Sequence, residues 1–303
     1  MRGFTLLELL VATAVFVGLA LILVSIAASL SSFWQLGIAH NERRSSALSA
    51  FSRMARDLRF ASLPPDPSVT NFQLVVNPAK VGGSYLLPQA VFWQAPVSSG
   101  PVSTNIAPVG GNLALVGYFV QWVSETNGPV TNFSPKLCRL VIDSSSINYQ
   151  FAKPSDWVSD SLIANNASAT KASGYNGQLA ENVLGLWIRP LDQRKDPILN
   201  DAKAVAFSGG QFDSARGYTV GLTNASGTLE TKVFAPALPA SLEVVVVAVD
   251  ARTAKRLSGD EKPGARTADM WGDVNAFYNT LPQEIKQGAR IYSTVLDLHS
   301  APR

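Results

Sequence analysis

The chain has 303 residues and a formal net charge of +3; 47% of it is hydrophobic and only 16% charged. That balance excludes a disordered chain and predicts a packed core. A charge this small over this length gives no reason to expect nucleic acid as a partner. The lone cysteine, Cys138, excludes an internal disulfide and a cysteine-built metal site.

The first element is apolar. Leu9 to Ala39 is a run of mostly Leu, Val, Ala and Ile, with no formal charge between Glu8 and Glu42. As a helix it extends about 46 Å at 1.5 Å per residue, more than the roughly 20 residues a bilayer requires. Glu8 sits near its head. A carboxylate at membrane depth costs on the order of 2.5–3.5 kcal/mol and is usually retained for a function. Three readings of the segment compete. One is a plain signal anchor. Another is a cleaved secretory signal, with Arg2 as its basic region and Ser25-Ile26-Ala27 or Ala27-Ala28-Ser29 as the cut. A carboxylate so early in the apolar run argues against the second.

The third reading rests on Met1-Arg2-Gly3-Phe4-Thr5-Leu6-Leu7-Glu8. This stretch resembles the type IV prepilin signal, in which Gly is followed by an aromatic residue, Thr, two Leu and Glu. The resemblance implies a leader of residues 1–3, cleavage after Gly3 by a membrane peptidase, and methylation of the new N-terminus at Phe4. It implies that Glu8, within a motif that includes Thr5, guides assembly by pairing with the N-terminal ammonium of a neighbouring subunit. Such a pairing is physically reasonable, because opposite charges attract strongly where the dielectric is low and an unpaired one is costly. The partners implied are other pseudopilin subunits, the prepilin peptidase/methyltransferase and inner-membrane lipid. Arg2 suits a cytoplasmic N-terminus, which leaves the rest of the chain periplasmic.

Beyond residues 4–39 the helical pattern continues over 40–61. Leu48, Phe51, Ala55 and Leu58 recur at helical spacing and predict one apolar stripe, with Arg53, Arg56, Asp57 and Arg59 off it. The arginines read as solvated surface or as contacts to anionic headgroups. Pro64-Pro65-Asp66-Pro67 ends the helix, since proline lacks the N–H and fixes φ.

From residue 71 the pattern is that of strands: Phe72–Val76, Ala90–Trp93, Leu113–Trp122, Leu137–Ile142, Val183–Leu191, Leu242–Val249 and Arg290–Leu298. Leu184 to Arg189 alternates as a strand with one face in the core. Val244 to Val247 is apolar throughout and predicts a central strand covered on both faces. Cys138 lies in the fourth strand as a buried thiol. Residues 155–177 and 192–227 are polar and read as loops. Thr267 or Asp269 caps a short amphipathic helix through Trp271, Val274 and Phe277, which covers the sheet or binds a partner. Pro282 either interrupts that helix or begins a second helical turn through Ile285 to Gly288.

The distal half is similar to J-type minor pseudopilins of type II secretion machinery. The similar stretches are Asp57-Leu58-Arg59, Gly117-Tyr118-Phe119, Leu137-Cys138-Arg139, Glu181 to Leu186, Leu238 to Val244 and Tyr292 to Leu298. Gly259 to Gly288 is longer than the usual pattern, and also resembles a variant group in chromosomal cassettes of Verrucomicrobia-like bacteria.

Chemistry in residues 62–303 is hard to find. The two histidines, His40 and His299, are far apart in sequence, and no HExxH, phosphate loop or Gly-x-Ser-x-Gly elbow occurs. Asp192, Asp196 and Asp201 invite calcium but lack the spacing of a calcium loop. No cofactor and no enzymatic activity are expected. The sequence predicts an α+β fold, a long N-terminal helix packed on antiparallel β-structure. The function it points to is a minor pseudopilin-like subunit of a type II secretion-like pseudopilus. The alternatives are a membrane-anchored or secreted enzyme or carbohydrate-binding β-domain, and a minor type IV pilin for adhesion or DNA uptake.

Overall fold

The structure is a computed structural model. It describes residues 6–59, 61, 72–76, 86–96, 113–127, 130–143, 176–198, 212–214, 218–224, 227–233, 238–264 and 269–298. Two compact units divide the chain, Met1–Arg44 and Ser45–Arg303. The fold is mixed α+β, with an apolar N-terminal helix and a sheet that is antiparallel at every pairing but one.

In the first unit the described chain is the leading part of α1 (Leu6–Leu58). Leu9–Ser31 has a mean hydropathy of 2.8 and none of its most apolar window is buried. At 1.5 Å per residue it spans about 34 Å, enough to cross a hydrocarbon core of about 30 Å. Thr13 Oγ1 donates to the Leu10 carbonyl at 2.9 Å, and Ser29 Oγ to the Ser25 carbonyl at 2.9 Å. These bonds satisfy two hydroxyls inside the helix, which lowers the cost of placing them in an apolar medium.

In the second unit α1 continues to Leu58 and closes in a turn, with Ala61 N–H on the Leu58 carbonyl at 2.9 Å. The prolines 64–67 lie outside the described residues. The buried line of this helix is Ala47, Ala50, Phe51, Met54 and Leu58, while Leu48 is 53% exposed and Ala55 half-buried. The stripe predicted from the large apolar residues is therefore rotated. Alanines on the packed side let the helix axis approach its neighbours closely, and the rotation carries Asp57 inward, where its partners stand.

The main sheet runs β11-β10-β6-β2-β3-β4-β5, with β1 on β2 and β7 on β1. Its strands are β1 (Phe72–Val76), β2 (Leu86–Pro96), β3 (Leu113–Asn127), β4 (Val130–Asp143), β5 (Asn176–Glu181), β6 (Val183–Leu191), β7 (Phe212–Asp213), β10 (Ser241–Val249) and β11 (Ala289–Asp297). A separate hairpin joins β8 (Tyr218–Asn224) to β9 (Gly227–Val233). All seven predicted strands are present. The segment 192–227, predicted as loop, instead contains β7 and β8 and the start of β9. The alternation Tyr218, Val220, Leu222 is strand-like, but its intervening Thr, Gly and Asn made it read as polar. The last two residues of the other predicted loop, 155–177, belong to β5; the remainder lies outside the described residues.

β6 and β10 are buried on both faces. For β10 this matches its unbroken valines. For β6 it corrects the expectation of a single core face. Three short helices follow β10: α2 (Ala251–Ala254), α3 (Met270–Thr280) and α4 (Gln283–Gly288). α3 lays Phe277 against Trp187 of β6, ring centroids 5.4 Å apart, so it covers the sheet as its spacing predicts. Pro282, which has no N–H to donate, separates α3 from α4. Asp269 stands at the N-cap of α3 but its side chain makes no capping bond, and Thr267 lies outside the described residues.

At Pro88↔Leu186 the sheet contains its one parallel pairing, where β2 leaves β6 and continues beside β1. Gln89, fully buried, accepts the Ile188 N–H on its side-chain oxygen at 2.7 Å. A side chain thus supplies the acceptor that the diverging strands no longer provide.

Candidate functional site

Gly3, Phe4 and Thr5 lie outside the described residues, and Glu8 is the third described residue of α1. What the structure adds is the surface behind them. Among the described residues every exposed large apolar side chain except Leu48 and Val295 falls between Leu6 and Ile38. They stand around the whole circumference of the helix rather than on one stripe. Exposed apolar area on this scale marks a surface made for lipid or protein.

Among the described residues of the second unit a buried polar cluster stands out. It joins three stretches far apart in sequence: the last turn of α1, β3 and β4. Asp57 Oδ2 accepts from Tyr118 Oη at 2.6 Å and from Arg139 Nε at 2.5 Å, and Arg53 Nε stands 3.7 Å from Oδ1. The Asp57 carbonyl accepts from Trp93 Nε1 at 3.4 Å, and the Trp93 ring lies on that of Tyr118, centroids 5.4 Å apart and planes 9° from parallel. β-register dictates the meeting, because Tyr118 and Arg139 are directly opposed partners of β3 and β4.

Burial and then the Asp57 charge hold the Tyr118 phenol well above its ordinary range. Burial pulls the Arg139 guanidinium down, yet its hydrogen bond to Asp57 and the neighbouring charges leave it above its ordinary value. Asp57 is 6% exposed and Arg139 9%. A carboxylate saturated by two close donors and shut from water is poorly placed to take a proton from a substrate. Its work is to tie the end of α1 to the sheet, and an ion pair this buried is strongly destabilising to break.

Other polar groups among the described residues also hold structure. Arg189 Nη2 meets Glu243 Oε2 at 2.5 Å across β6 and β10, and Trp271 Nε1 of α3 donates to Glu243 Oε1 at 2.9 Å. Asp192 Oδ1 accepts the N–H groups of Arg194 and Asp196, each at 2.8 Å, and so closes a turn in which Lys195 has φ 68°. Asp192 is therefore a buried turn-former rather than part of a solvated loop. Among the described residues no three His, Cys, Asp or Glu lie close enough to hold a metal ion; Asp201 is outside them. Cys138 is buried, and burial pushes its thiol up to about 12, partly opposed by the charge of Lys136. It stays a protonated, inert thiol at neutral pH.

The sequence singled out Asp57-Leu58-Arg59, Gly117-Tyr118-Phe119 and Leu137-Cys138-Arg139 one by one. Sequence reasoning missed that one residue from each forms a single cluster, and placed Asp57 on the outer face. The available signal was a lone acid among arginines at the end of a helix, whose counter-charge had to come from elsewhere. No family model, curated protein or solved structure matches the chain.

Proposed function

We propose that the chain is a minor pseudopilin-like subunit, matured by cleavage after Gly3 and methylation of Phe4, that assembles into a short pseudopilus of a type II secretion-like system. In this reading α1 sits in the cytoplasmic membrane with its N-terminus inside, and the second unit lies in the periplasm. Glu8 takes up the freed amine of a neighbouring subunit, which sets the register of packing. The observation that carries the reading is an apolar helix exposed on all sides, with one carboxylate, Glu8, in its first turn, and in the sequence the order Phe4-Thr5-Leu6-Leu7-Glu8. The junction of Asp57, Tyr118 and Arg139 adds support, since it draws together three stretches that resemble the J-type pattern.

Mass spectrometry of the protein from its native cell tests the maturation: the expected N-terminus is methylated Phe4. A Glu8→Leu chain should be processed normally yet fail to assemble. An N-terminus at Met1 or near residue 28, or normal assembly without the carboxylate, refutes the proposal.

A further inference from the structure

The sheet ends at β11, and the backbone itself shows what the outer edge of that strand lacks. Leu298 N–H donates to the Ala240 carbonyl at 2.9 Å, which makes 298/240 a hydrogen-bonded pair of the β10–β11 ladder. Hydrogen-bonded and non-bonded pairs alternate along an antiparallel ladder. The even-numbered residues of β11 therefore bond to β10, and the N–H and C=O groups of Ala289, Ile291, Ser293, Val295 and Asp297 point outward. Ala289 is satisfied within the chain, its carbonyl accepting from Arg290 Nη1 at 2.7 Å and Tyr278 Oη at 3.3 Å. Among the described residues no strand pairs with the other four.

Natural sheets protect such an edge with charge, proline, a bulge or brevity. β11 uses none of these between Ile291 and Leu296; only Asp297, the last open position, is charged. Its register with β10 is unbroken over nine pairs, and Ile291-Tyr292-Ser293-Thr294-Val295-Leu296 contains neither charge nor proline. Val295 is 45% exposed.

We propose that this edge pairs with the same edge of a second copy of the chain, antiparallel and centred on Thr294. The open positions 291, 293, 295 and 297 are symmetric about 294. In that register Ser293 meets the second copy's Val295 and Ile291 its Asp297, so every open donor faces an open acceptor, while Ala289 is left out. Charge favours the same orientation. Arg290 and Asp297 are the only charged residues of β11 and mark its two ends, and Asp297 is already paired with Lys195 of its own chain; parallel pairing sets Arg290 beside the second copy's Arg290, whereas antiparallel pairing sets it beside the neutralised Lys195–Asp297 end. Two Thr294 residues face each other as a non-bonded pair at the two-fold axis, where Cα atoms approach to about 4.5 Å, within disulfide range.

The test uses the full chain in detergent micelles, with mass measured by light scattering. The unmodified chain is expected to be dimeric. Ser293→Pro removes an outward N–H and leaves the β10 ladder whole, so it should weaken dimerisation at least tenfold with an unchanged circular dichroism spectrum. Val295→Lys, which charges the edge without touching the backbone, should do the same. Thr294→Cys should form a disulfide-linked dimer under mild oxidation and Tyr292→Cys should not; Cys138 is buried and gives no background. A monomeric unmodified chain, a dimer indifferent to both edge variants, cross-linking at 292 in preference to 294, or capture of a different polypeptide at 294 each overturns the proposal.

Discussion

Replacing Asp57 by Asn is the sharpest test of how α1 is held. The substitution keeps size and the backbone carbonyl that Trp93 uses, and removes only the charge. Arg139 is then left 9% exposed without its counter-ion; Arg53 is itself a cation and offers no remedy. Removing one member of a buried pair costs about 3–5 kcal/mol. At about 2–4 °C per kcal/mol for a unit of this size, the midpoint of thermal unfolding should fall by roughly 6–20 °C. Tyr118→Phe deletes one hydrogen bond to a charged acceptor and should cost about 1.5–3 kcal/mol. A combined Asp57→Leu, Arg139→Met chain removes both charges and should regain most of the loss, since apolar replacement of a whole buried pair is often neutral. Denaturant titration of the full chain in detergent, arranged as a double-mutant cycle, reads all three. A loss below about 1 kcal/mol for Asp57→Asn, or a double variant weaker than both singles, would show that the cluster does not hold the helix.

Alkaline pH should weaken the fold through Cys138. In the unfolded chain the thiol loses its proton near 9.0, and in the folded chain near 12, so over this window the unfolded state binds fewer protons and stability falls as pH rises. Cys138 alone accounts for up to about 4 kcal/mol, and Tyr118, also raised, acts in the same direction above its ordinary range; Cys138→Ala should flatten the slope measured by unfolding at stepped pH. Gly288→Ala should destabilise by about 1–3 kcal/mol, because a Cβ there would stand 1.9 Å from Thr253 Oγ1 and 2.8 Å from Asp250 Oδ2, where Asp250 caps α2 through the Thr253 N–H at 2.8 Å. An unchanged melting curve for that variant would mean α2 and α4 separate freely. Trp271→Phe keeps an aromatic ring but deletes the indole N–H and its bond to Glu243, and should cost at least about 1.5–3 kcal/mol by denaturant titration.

Local pattern alone was enough to determine most of the elements. The apolar N-terminal helix, its amphipathic continuation, seven strands and the break at Pro282 follow from hydropathy period, β-branching and proline chemistry, which act within a few residues of one another. The all-valine centre of β10 declared its two covered faces for the same reason. The hairpin β8–β9 escaped because Thr, Gly and Asn diluted an alternation that pairing, rather than hydropathy, makes into strand.

Only the tertiary structure decided which side of α1 faces inward and what each charge meets. Leu48 outranks Ala47 and Ala50 in hydrophobicity, yet the alanines are buried and Leu48 is exposed. The helix turns to satisfy Asp57, whose partners lie 61 and 82 residues further along the chain. A charge inside a protein is acceptable only where an opposite charge and donors already stand, and that condition depends on strand register across β3 and β4. Positions near one another in sequence carry no record of it.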